Sequence, residues 1–78
     1  MSQRLPRVTA DEVIRVVEKV GFTLARQSGS HRIYRSSAGK RITVPYHKRK
    51  ILHPKVLASI LRDANLSREE FKNLLAGY

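Results

Sequence analysis

The sequence predicts an α+β fold, a small three-stranded antiparallel sheet with helices on one face, in the order α-β-β-β-α-α. Three observations carry this expectation. Apolar residues recur at helical spacing near both ends of the chain, each time after a helix-start signal. Between them, three short runs alternate in polarity. Two Gly-containing turns join those runs, and connections so short fit antiparallel neighbours. No repeat, low-complexity tract or linker interrupts the 78 residues, so a single domain over 1–78 is expected.

The first helix is expected over about residues 10 to 20. Thr9-Ala10-Asp11-Glu12 is a capping box, in which Thr9 and Glu12 satisfy each other's backbone amides. Val13, Ile14, Val17 and Val20 form the apolar stripe, and Gly21 suits the left-handed position after the helix. Three strands follow: Phe22 to Arg26, His31 to Arg35 and Lys40 to Pro45. Ser28-Gly29 and Ser36-Ser37-Ala38-Gly39 supply the turns. Alternation predicts Phe22, Leu24, Ile33, Ile42 and Val44 on the core face. Thr23, Arg32, Tyr34, Arg41 and Thr43 then occupy the other face. Tyr46-His47-Lys48-Arg49-Lys50 is a basic loop. Pro54 opens the second helix, with Val56, Leu57, Ile60 and Leu61 inward and Asn65 after its end. Ser67-Arg68-Glu69-Glu70 is a second capping box, and Phe71, Leu74 and Leu75 face inward behind it.

Charge narrows the function. The chain carries a net charge of +10 and has no cysteine. From Lys19 to Arg62 there is no Asp or Glu, while eleven Lys or Arg and all three histidines fall in that span. So basic a surface on so small a domain points first to nucleic acid. The amphipathic end helices carry the acids, which argues against a membrane surface. Met1 to Pro6 have no apolar run, so neither a secretory leader nor a membrane span is expected, and the cytoplasm is the expected location. Absence of cysteine removes disulfides, thiolate metal sites and thiol nucleophiles. The histidine spacings fit no common zinc pattern, and the acid-free centre lacks carboxylates to hold magnesium. No metal or cofactor is expected.

Gly29-Ser30-His31-Arg32-Ile33-Tyr34 is the most informative stretch. A thin Gly-Ser turn delivers His31 to the first residue of a strand, where a phosphate can approach. A neutral imidazole among cations suits metal-free RNA cleavage: the cations hold phosphates and the imidazole moves protons. Arg32 is the first candidate to stabilise the charge of the transition state. Arg35, Lys40, Arg41, Lys48, Arg49 and Lys50 form a patch able to track a phosphate backbone. Tyr34 either stacks on a base or simply sits on the exposed sheet face. His47 is a second proton carrier, a phosphate contact or a solvated loop residue. His53, before Pro54, reads as structural. Ser30 beside His31 makes no triad, because no orienting acid lies nearby.

With these residues in view, the chain resembles the HicA-type, or YcfA-like, toxins of bacterial and archaeal toxin–antitoxin pairs. The likeness rests on Leu5-Pro6 with the first helix, Gly21-Phe22, Gly29-Ser30-His31 with Ile33-Tyr34, Thr43-Val44-Pro45 with His47, Ile60-Leu61, and Leu66-Ser67 with Glu70-Phe71. It implies a fold similar to a double-stranded-RNA-binding domain, mRNA cleavage with the histidine of the Gly-Ser-His motif essential, and a HicB-type antitoxin that masks the site. That histidine is His31 here. The family often has Gly where this chain has Lys55 and again where it has Asn65, and neither position belongs to the expected site.

The sequence therefore points to the toxin of a type II pair, a metal-independent endoribonuclease with His31 catalytic. RNA contacts are expected from Gly29, Ser30, Arg32, Tyr34, Arg35, Lys40, Arg41, His47 and Lys48 to Lys50. Its expected partners are mRNA and an acidic HicB-like antitoxin. The alternative is a non-catalytic RNA-binding module of the double-stranded-RNA-binding type. DNA binding by the last two helices ranks third, because Asp63, Glu69 and Glu70 would repel phosphates there.

Overall fold

The computed structural model describes residues 5–77. The expectation of no leader at Met1 to Arg4 therefore lies outside the described residues. The elements are α1 (Ala10–Lys19), β1 (Phe22–Ser28), β2 (His31–Ser36), β3 (Arg41–Pro45), α2 (Pro54–Asp63) and α3 (Arg68–Leu75). This is the predicted order. The strands form one antiparallel sheet in the order β1-β2-β3.

The helix ends follow from local chemistry. The Thr9 amide donates to Glu12 Oε1 at 2.9 Å, and the Glu12 amide donates to Thr9 Oγ1 at 3.4 Å. Ser67 and Glu70 make the same reciprocal pair at the start of α3. Gly21, with φ 99°, follows the end of α1, and Asn65, with φ 58°, follows that of α2. His53 caps α2: its Nδ1 accepts from the Lys55 amide at 3.1 Å. Its role is structural, as the sequence indicated.

The sheet departs from expectation in which face β2 turns inward. Tyr34 is only 2% exposed and packs in the core with Phe22, Ile42 and Val44. Ile33 is half-buried on the opposite face. The pairing register explains the exchange. The Ser37–Lys40 connection pairs Tyr34 with Ile42 and Arg32 with Val44. Residues directly opposite in an antiparallel pair share a face. With Ile42 and Val44 inward, Tyr34 and Arg32 must follow them. A one-residue shift would have turned Ile33 inward instead. Apolar character alone could not choose between these registers. The first strand also runs two residues further than predicted, with a bulge between Leu24 and Arg26. Only Phe22 of β1 is buried, and Leu24 is 50% exposed rather than part of the core.

Helix α1 packs on β1, β3 and α3, whereas α2 packs against β3. Val13, Val16, Val17, Leu57, Ile60 and Phe71 bring the helices into one core with the inner sheet face. Lys19 Nζ donates to the Leu74 carbonyl at 2.9 Å, tying α1 to α3. The segment before α1 also joins in. Val8 is buried, its carbonyl accepts from the Leu52 amide at 2.8 Å, and Thr9 bridges Ile51. This anchors the chain that leads from the basic loop into α2.

Candidate functional site

Ser28 pairs with His31, so Gly29 and Ser30 alone make the turn between β1 and β2. Gly29 has φ 57°, a left-handed conformation that a side chain disfavours. The Ser30 carbonyl accepts from the Tyr46 amide, and His31 pairs with Pro45. The turn is thus held against the end of β3, and His31 stands exposed on the outer sheet face.

His31 lines a groove of about 540 Å³ between that face and α2. Arg41, Thr43 and Pro45 form the sheet side. Lys55, Ser59 and Asp63 contribute from α2, with Val56 and Ile60 beneath. Spacing of four residues puts Lys55, Ser59 and Asp63 on one stripe of the helix. That signal was legible in the sequence, but the surface it meets was not. Lys55, a position outside the site expected from sequence, shares the groove with His31.

Arg32 is not beside His31. Successive strand residues point to opposite faces, and Arg32 follows Val44 toward the helix side. Its guanidinium carbon lies 3.8 Å from the centroid of the Tyr46 ring. Its Nε is buried and, among the described residues, has no hydrogen-bond partner. Tyr46 in turn donates its hydroxyl to Asp11 Oδ2 at 3.2 Å. That bond to Asp11, with burial second, holds the Tyr46 phenol above its ordinary pKa, and the Arg32 charge opposes the shift. The expected role of Arg32 as the cation next to the histidine gives way to a stacked, structural one.

Tyr34 is also removed from the expected surface. Burial pushes its phenol up, partly offset by Arg32. A ring buried in the core does not stack on a base. The remaining expected contacts are exposed: Gly29, Ser30, Arg35, Lys40, Arg41, His47, Lys48, Arg49 and Lys50. Arg35 pairs directly with Arg41, two like charges on the outer face. His47 and Lys50 line a neighbouring cleft that shares Pro45 and Val56 with the groove. His31 and His47 therefore stand at different clefts. Among the described residues, no group of three or more His, Asp or Glu is placed to hold a metal ion. No helix among them is long and apolar enough to cross a membrane.

This arrangement defines a class of small cationic α+β proteins that present a histidine from a hairpin turn onto a groove between sheet and helix. The model of the HicA toxin of bacterial toxin–antitoxin systems matches residues 10–66, from α1 through the end of the groove, and the chain belongs to that family. No curated protein matches it significantly. The chain is thus the toxin half of a toxin–antitoxin pair, and an antitoxin is its partner.

Proposed function

We propose that this toxin is a metal-independent endoribonuclease that cuts mRNA in the cytoplasm, with one domain over residues 1–78 carrying the activity and His31 as its proton carrier. The observation behind the reading is an exposed His31 at one end of a groove whose walls hold Lys55 and Arg41. The ribose 2′-OH attacks the adjacent phosphorus, forming the 2′-O–P bond as the P–O5′ bond breaks. His31 takes the proton from the 2′-OH and delivers it to O5′. The products are a 2′,3′-cyclic phosphate and a free 5′-OH. Lys55 replaces Arg32 as the cation facing the phosphate, where fixed positive charge stabilises the extra negative charge of the transition state. Arg35, Lys40, His47 and the Lys48–Lys50 loop extend the backbone contacts, and Gly29-Ser30 lets a phosphate come close.

The antitoxin of this reading is HicB-like and acidic. It covers the groove and competes with RNA for it.

Substitution of the histidine tests the chemistry. His31→Ala loses RNA cleavage by about two orders of magnitude or more, the usual scale of acid–base catalysis. RNA affinity falls only mildly, because the cations remain. Cleavage survives excess chelator and stops when the ribose at the cut site is replaced by deoxyribose. A His31→Ala protein that cuts at the wild-type rate sinks the assignment. Binding without cleavage by the wild-type protein points to the non-catalytic RNA-binding module instead.

A further inference from the structure

Asp63 ends α2 and lines the groove together with Arg41, yet the proposed chemistry gives it no task. Its position is electrostatically poor in two respects. The C-terminal end of a helix disfavours a carboxylate, and a carboxylate in a phosphate-binding groove repels the ligand. Among the described residues its side chain has no hydrogen bond or ion pair to offset this. Of the five other acids, Asp11, Glu12, Glu69 and Glu70 sit in first turns, where the helix dipole favours them; Glu18 lies in the last turn of α1 and does not line the groove.

The topology fixes which end of the groove Asp63 occupies. His31 pairs with Pro45, and Pro45 shares a cleft with His53 and Val56 at the start of α2. Lys55 is therefore at the His31 end. The helix then runs back alongside β3, carrying Asp63 to the Arg41 end. From residue 41 to 45 a strand spans about 13 Å. From residue 55 to 63 a helix spans about 12 Å. The two walls match in length. A strand whose reacting phosphate lies between His31 and Lys55 thus brings a neighbouring nucleotide to Arg41 and Asp63.

A phosphate does not suit an acid beside an arginine, but a base edge does. The carboxylate needs donors and the guanidinium needs acceptors. Guanine presents N1–H and the N2 amine side by side, matching two carboxylate oxygens, and offers O6 and N7 to arginine. Adenine and cytosine each set an acceptor beside the amine. Uracil sets an acceptor on either side of a single N–H. Each of these leaves one carboxylate oxygen facing a lone pair. In single-stranded RNA the pairing edge is free to be read.

We propose that the Arg41–Asp63 end of the groove binds an unpaired guanine and so selects where the RNA is cut. This rests on RNA being the substrate, as proposed above.

The test is binding of short single-stranded RNAs, identical except for guanine, inosine, adenine, cytosine or uracil at one position, to the His31→Ala protein. Guanine should bind about tenfold or more tightly than adenine, cytosine or uracil, the scale of one bidentate pair. Inosine, which lacks the N2 amine, should fall between. Adding Asp63→Ala should erase the differences without lowering thermal stability. In parallel, the ends of RNA cut by wild-type and Asp63→Ala proteins are mapped, and the variant should lose cuts set by guanine. Equal affinity for all five RNAs, or a guanine preference unchanged by Asp63→Ala, overturns the inference. If the wild-type protein still cuts RNA, that result leaves the nuclease reading intact. Guanine preference that depends on Asp63 in a protein that never cuts RNA overturns the nuclease reading and keeps the guanine site.

Discussion

Arg32 stacks on Tyr46, and the Tyr46 hydroxyl donates to Asp11 on α1. A cation–π contact contributes about 0.5–1 kcal/mol at exposed sites and about 2 when desolvated. The half-buried Arg32 lies between these limits. Arg32→Ala should therefore lower unfolding stability by about 1 kcal/mol in chemical denaturation. Arg32→Lys keeps the charge but loses the planar stack, so it should recover little of that loss. Full recovery by lysine would mean that positive charge, and not the planar stack on Tyr46, is what Arg32 supplies to the fold. Tyr34 gives a second contrast at this scale. Tyr34→Phe should leave RNA affinity unchanged, because the ring is buried. Tyr34→Ala should cost about 3 kcal/mol or more, as for other large core truncations. A Tyr34→Phe protein with weakened RNA binding would contradict this account of the core.

Helix α3 begins with a charged cap, which makes its start sensitive to pH. The Ser67 backbone amide, and then its side chain, hold the Glu70 carboxyl below the ordinary glutamate range. The unfolded chain takes up that proton first as pH falls. The cap's stabilisation is therefore complete above the ordinary value of 4.5 and is lost as pH drops through the lowered folded value. Amide exchange at Ser67 and Glu70 should accelerate over that acid window relative to the trend elsewhere, and Glu70→Gln should remove the transition. An identical profile in Glu70→Gln would show that another group controls the helix start. At α1 the cap includes Thr9, and Thr9→Ala should cost about 1 kcal/mol. The effect should reach past the helix, since Thr9 also bridges Ile51 before α2.

At the scale of the whole molecule, net charge dominates. A charge of +10 on 78 residues opposes folding through self-repulsion. The Arg35–Arg41 pair on the outer face adds a local like-charge cost. Bound polyanion relieves both, so RNA should raise the melting temperature, and its affinity should fall steeply with salt as counterions are released. Neutralising Lys48, Arg49 and Lys50 together should flatten the slope of log affinity against log salt. An unchanged slope would place the loop off the RNA path. The same field serves the antitoxin. An acidic partner that covers the groove should associate rapidly and displace RNA as it is titrated in. Simultaneous binding of both would refute masking and leave the nuclease proposal standing.

Both capping boxes, Pro54 at the start of α2, Gly21 and Asn65 after the first two helices, and the two turns were legible in the sequence. Each is a hydrogen bond or a dihedral preference acting over a few residues, and such effects are written where they act. Gly29-Ser30-His31 belongs with them, because the turn that presents the histidine is local. The inner face of β2 was not legible: Ile33 and Tyr34 are both suited to a core, and strand register chose between them. The company His31 keeps was not legible either. Arg32 is its neighbour in sequence but lies across the sheet, while Lys55 and Asp63 come from a helix that returns along β3. Which remote surfaces meet depends on loop lengths and on burial of a shared core, and those act only once the chain has closed on itself.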